Sequence, residues 1–214
     1  MGYQNPGREA VVQNINQNGN QTEAIMPMNQ GLSNNHGGHE LFDAHEVISG
    51  ITCMLDQYLI YNQHIKDPEL KTILQRQSAF VTQTYNTIVE SFKTGQDPTI
   101  PTQQYEMTQN NDVIYGLKPG QPKKPMQSLN EISDEGISGF MLGQAKSMSS
   151  MLAMTALEMT NPVLRRVIAD SVPNFIELSY EIFLYQNKHG YYQVPQLAQQ
   201  DMDQMLTSYT QTNP

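Results

Sequence analysis

The sequence predicts an all-α protein: a four-helix bundle built from two helical hairpins joined by a long crossover, with a disordered N-terminal tail. Three observations predict it. Apolar residues recur at three- and four-residue steps in four long stretches, the period of helices with one buried face. Two of the three junctions between these stretches are Asx-Pro steps, Asp67-Pro68 and Asn161-Pro162, set 94 residues apart (161 − 67 = 94). The remaining junction, residues 96–128, carries no sustained period and holds Pro98, Pro101, Pro119, Pro122 and Pro125.

Residues 1–38 are rich in Asn, Gln and Gly. Such a segment buries too little apolar surface to offset its ordering entropy, so it reads as a disordered tail ending at Gly37-Gly38. Helix 1 is expected over about 40–65, with Leu41, His45, Ile48, Thr52, Leu55, Leu59 and Asn62 facing inward and Ile51 and Tyr58 widening the stripe. Asp67 then suits an N-cap and Pro68 the first helical position, where its missing N–H costs nothing. Helix 2 spans about 68–93 with Leu70, Leu74, Gln77, Val81, Thr84, Ile88 and Phe92 inward, and Gly95 ends it.

Helix 3, about 133–160, places Ile137, Met141, Ala145, Met148, Leu152, Thr155 and Met159 on one stripe. Helix 4, about 162–189, does so with Leu164, Ile168, Val172, Phe175, Leu178, Ile182 and Tyr185. Pro173 should kink it, and Lys188-His189-Gly190 closes it with cations near the negative dipole end and a glycine cap. The C-terminal tail, 196–214, has room for one short helix.

The shift of 94 also carries Ile73-Leu74 onto Val167-Ile168, Ile88 onto Ile182 and Pro101 onto Pro195. Each half is a long helix, an Asx-Pro turn, a second long helix and a Gly exit followed by Pro. A short turn makes the helices of each hairpin antiparallel, and the crossover is long enough to run the length of the bundle. Helix 3 can then lie parallel to helix 2, the connectivity of ferritin-like bundles.

The net charge of −9 and pI near 4.9 exclude a nucleic-acid binder, which needs a basic footprint. Cys53 is the single cysteine, so no intramolecular disulfide can form. No apolar run approaches the roughly 20 residues of a membrane span, and the N-terminus shows no secretory signal.

Ferritin-like bundles often hold two metals on a Glu from each of two helices and a Glu-x-x-His from each of the others. Glu90, Glu177 and Glu181 are followed at i+3 by Lys93, Tyr180 and Leu184, so the pattern is missing and interior positions are expected to be apolar or neutral polar. His36, His39 and His45 gather near the start of helix 1 beside Glu40, Asp43 and Glu46. This is either a solvated polar helix start or a set of transition-metal ligands. Met148, Met151, Met154 and Met159 have the spacing of core packing. The sequence carries no P-loop, dinucleotide fingerprint or nucleophile–base pair. It therefore assigns no catalytic, cofactor-binding or metal-ligating residue, and no cofactor.

The opening Leu41-Phe42-Asp43-Ala44-His45-Glu46 and the turns Asp67-Pro68-Glu69-Leu70 and Asn161-Pro162-Val163-Leu164-Arg165-Arg166 form a recognisable set with Val113-Ile114-Tyr115-Gly116-Leu117-Lys118-Pro119-Gly120-Gln121-Pro122. Together they resemble the spore coat protein F family of endospore-forming Firmicutes, over about residues 40–195. The resemblance implies a ferritin-like fold without a metal site. It also implies a non-enzymatic structural component of the spore coat, made in the mother-cell cytoplasm and deposited on the forespore. Its implied partners are other coat proteins and further copies of this chain, with no nucleic acid. A metal-binding or metal-oxidising ferritin-like protein is the alternative. Tyr180, Tyr185, Tyr191 and Tyr192, and Gln residues near Lys118, Lys123 and Lys124, are either coat cross-linking positions or ordinary packing residues.

Overall fold

The computed structural model describes residues 36–213. Four long helices, α1 (Gly38–Tyr61), α2 (Pro68–Thr94), α3 (Asp134–Glu158) and α4 (Pro162–Lys188), form the bundle, and α5 (Gln199–Leu206) follows it. Most of the segment expected to be disordered lies outside the described residues. Its last three do not behave as a tail: α1 begins at Gly38, and Gly37 donates its N–H to Thr160 Oγ1 at 3.2 Å.

The turn chemistry read from the sequence is the chemistry observed. Asp67 Oδ1 accepts from the Glu69 N–H (2.8 Å), and Asn161 Oδ1 accepts from the Val163 and Leu164 N–H groups (3.0 and 2.9 Å). Each is an N-cap followed by a first-turn proline. Gly95 takes φ 64°, the left-handed conformation that lets its N–H return to the Ser91 carbonyl. Helix α1 ends at Tyr61, short of residue 65, because Asn62–His64 turn the chain toward the Asp67 cap. Helix α4 runs unbroken through Pro173, which lies on its exposed side.

Helix α1 packs on α2 and α3, and α4 packs on α2 and α3, so α1 and α4 are diagonal. The starts of α2 and α3 lie at the same end, since Asp134 reaches Lys66 and Asp67, and the two helices run parallel. One apolar core fills the centre, with Tyr58, Phe175 and Tyr185 among its largest fully buried side chains.

The stripe on α1 differs from the expected one. The buried residues are Glu40, Ala44, Val47, Ile51, Met54 and Tyr58, whereas Leu41, His45, Thr52 and Leu59 are exposed. The reason is that α1 is apolar on most of its circumference, so its period does not fix which side turns inward.

The two halves also complete each other. Glu40, in the first turn of α1, accepts at Oε2 from the backbone N–H groups of Thr160 (2.7 Å) and Asn161 (2.9 Å). Asp134, in the first turn of α3, accepts from those of Lys66 (2.9 Å) and Asp67 (3.1 Å). The same 94-residue shift relates Glu40 to Asp134 and Lys66-Asp67 to Thr160-Asn161. Each half therefore lends a carboxylate to the other half's turn.

Burial pushes the Glu40 carboxyl up, but hydrogen bonds from Thr160, His36 and the backbone of Asn161 outweigh it and hold its pKa below 4.5. Burial likewise pushes Asp67 up. The Tyr185 hydroxyl, the Glu69 N–H and the charge of His189 prevail and hold it below 3.8. A depressed folded-state pKa gives stability that is fully present above the unfolded value and is lost as pH falls through the folded one. Thermal stability is thus expected to decline from about pH 4.5 downward. Melting curves at stepped pH should show a shallower decline in the Glu40→Gln and Asp67→Asn variants than in the native chain.

Candidate functional site

Between α2 and α4, under the crossover, the bundle contains an ion pair of Arg76 and Glu181. Glu181 of α4 is fully buried, which corrects the expectation of apolar or neutral interior positions. Its carboxylate accepts from the Arg76 guanidinium, the Tyr105 hydroxyl, Gln77 Nε2 (3.1 Å) and the Thr108 N–H (3.1 Å). Gln77 in turn donates to the Leu178 carbonyl (3.1 Å) and accepts from the Tyr58 hydroxyl (2.9 Å). Four donors on two oxygens satisfy a buried carboxylate, as burial of a charge requires. Burial, and then the hydrogen bond to Glu181, keeps the Tyr105 phenol well above its usual titration range, so it stays a donor.

This network reaches α1, α2, α4 and the crossover at once. It continues as a ladder along α4. Asn174 Oδ1 accepts from the Tyr105 N–H (2.8 Å), and its Nδ2 donates to the Gln103 carbonyl (2.8 Å). Asn187 does the same with the N–H and carbonyl of Ile114 (2.6 and 2.9 Å). Asn174, Glu181 and Asn187 are about two turns apart, so one side of α4 holds the crossover backbone as a neighbouring strand would. Nearby, Gly116 donates to the Val194 carbonyl at 2.9 Å. The crossover is therefore a fixed strap.

A second polar group lies where α4 ends beside the start of α2. Asp67, Glu69 and His189 bring one oxygen or nitrogen each within 4.8 Å of one another. The two carboxylates already have partners: Tyr185 donates to Asp67 at 2.9 Å, and Lys188 Nζ sits 2.9 and 3.1 Å from the two Glu69 oxygens. Acids at a helix start meeting cations at a helix end is the charge arrangement that two antiparallel dipoles favour.

The histidines singled out by the sequence do not converge. His36 pairs with Glu40 and lies against Phe92, His39 is exposed, and His45 is exposed with its ring nearly perpendicular to that of Phe92, the centroids 5.7 Å apart. Glu40 is fully buried and so is no part of a solvated helix start. Among the methionines, Met148 and Met159 are core residues and Met151 is half-buried, but Met154 is 71% exposed. Tyr185 is fully buried and Tyr180 and Tyr191 are half-buried, whereas Tyr192 is exposed. Among the described residues, no helix is long and apolar enough to cross a membrane.

Against known proteins, the Coat F domain profile matches residues 133–195. That segment is α3, α4 and their exit, which is one hairpin of the two. Spore coat protein F-like protein YhcQ of Bacillus subtilis (strain 168) is 53% identical over 173 residues, covering 81% of this chain and 80% of the relative. The chain belongs to the Coat F family. Its Asn161-Pro162 turn lies within the matched segment, and the Coat F hairpin it divides receives its missing turn acceptor from Glu40, outside that segment. No solved structure matches the chain.

Proposed function

We propose that this Coat F chain is a non-catalytic structural component of the spore coat, assembling through protein–protein contacts after synthesis in the mother-cell cytoplasm. The observation that carries this reading is the 53% identity to a spore coat protein F-like protein over most of both chains. The interior chemistry supports it. The buried carboxylate of Glu181 is committed to four protein donors, and the strap across α4 is pinned by side chains that would otherwise be free for a ligand. These are the features of a rigid scaffold whose working surface is its exterior.

A fluorescent fusion expressed from the native promoter tests the proposal. The expected result is signal that leaves the mother-cell cytoplasm and forms a ring on the forespore, retained in released spores. Signal that stays diffuse through sporulation would count decisively against it.

A further inference from the structure

Two of the four long helices, α1 and α3, are apolar on more than their inward sides, and they are neighbours. Phe42 is 77% exposed, Ile60 56%, Met154 71% and Phe140 45%. Helical geometry places Phe42 and Ile60 on the outer side of α1 that flanks α3, and Phe140 and Met154 on the outer side of α3 that flanks α1.

Their levels along the bundle are symmetric. The residue midway between Phe42 and Ile60 is Ile51, and the residue midway between Phe140 and Met154 is Ser147. The register of the two antiparallel helices is fixed by Gly50, whose open side faces the Met148 and Met151 sulfurs, and by Tyr61 stacked on Phe140 at 6.0 Å. That register brings Ile51 and Ser147 to the same height. The face thus has an apolar pair at each end, equidistant from a common centre, with small side chains such as Ser49, Cys53 and Ser147 between them.

A surface with this symmetry is complementary to itself. We propose that a second copy of this chain docks on the α1/α3 face about a two-fold axis that crosses the bundle at the level of Ile51 and Ser147. Phe42 then meets Ile60 of the other copy and Met154 meets Phe140, each contact occurring twice, as an isologous interface requires. The face is about 27 Å long and two helices wide, a projected area of roughly 500 Å². On a side-chain-studded surface this is of the order of the roughly 800 Å² per partner of a stable interface. Charge permits the approach. Glu46 and Glu158 lie five and eleven residues from the centre, so each carboxylate stays about 15 Å or more from its mate along the axis, beyond a physiological Debye length. Asp56, on the opposite flank of α1, remains at the rim. This inference rests on the proposed assembly through protein contacts and names its first step.

Cys53 is exposed and two residues from the centre, so it reports on the contact. The test uses the full chain under reducing conditions, with sedimentation velocity and maleimide labelling of Cys53 measured across a range of protein concentrations. The expected result is a dimer whose Cys53 becomes protected as concentration rises. Met154→Glu with Phe42→Glu should weaken dimerisation at least a hundredfold with helicity unchanged, while Ile176→Glu on the exposed side of α4 should leave it intact. Three outcomes overturn the proposal. One is a monomer with Cys53 reactive at every concentration. Another is a monomer with Cys53 protected at every concentration, which means that the chain's own N-terminal segment covers the face. The third is a dimer disrupted by Ile176→Glu and not by the α1/α3 substitutions. A fusion that reaches the coat while the chain is monomeric defeats this proposal alone, and a dimer whose fusion stays diffuse defeats the coat assignment alone.

Discussion

Arg76→Ala is expected to lower folding stability by about 3 kcal/mol, roughly 10 °C in melting temperature for a domain of this size. The effect comes from what remains. Glu181 is fully buried, and without the guanidinium it is an uncompensated charge in the core; removing one member of such a pair costs about 3–5 kcal/mol. The low end applies because the Arg76 side chain is 26% exposed, so water can reach the vacated position. Tyr105, Gln77 and the Thr108 N–H also stay on the carboxylate. Glu181→Gln should cost less, since Arg76 can turn to solvent and the amide oxygen still accepts. Urea unfolding with an unchanged m-value would place the loss in the native state. A cost for Arg76→Ala no greater than that of Glu181→Gln would show that burial of Glu181 does not set the energetics.

Glu40→Ala is expected to cost about 2–3 kcal/mol, because it leaves the N–H groups of Thr160 and Asn161 without an acceptor, and Asn161 is buried. Asp134→Ala removes the equivalent acceptor from Lys66 and Asp67, where the site is more open. Water can substitute there, and about 1 kcal/mol is expected. The order of the two effects, read from denaturant midpoints, is the test: the reverse order would mean that burial does not decide the strength of these caps.

The hairpins and their turns were legible in the sequence because their determinants are local. Asp67-Pro68 and Asn161-Pro162 specify caps within three residues, and the stripes of α2 and α4 are fixed by polar residues on the opposite side. The phase of α1 was not legible, because apolar residues surround it and only packing selects the buried side. The Glu181 network was missed for a different reason. Its partners lie about 70 to 105 residues away in sequence, on α2 and the crossover, and a lone Glu inside an amphipathic helix carries no mark of burial. The carboxylate exchange between halves did leave a signal: the shift that aligns the two turns also aligns Glu40 with Asp134, two acids at matching helix starts.

That exchange has a mechanical consequence. A hairpin that loosens at α1 withdraws the acceptor from the turn of the other hairpin, and the reverse holds for α3. Neither half has an independent breathing mode at its turn, so the two behave as one cooperative unit. For a protein built into a layer meant to persist, a disturbance at one end of the molecule is resisted by the whole of it.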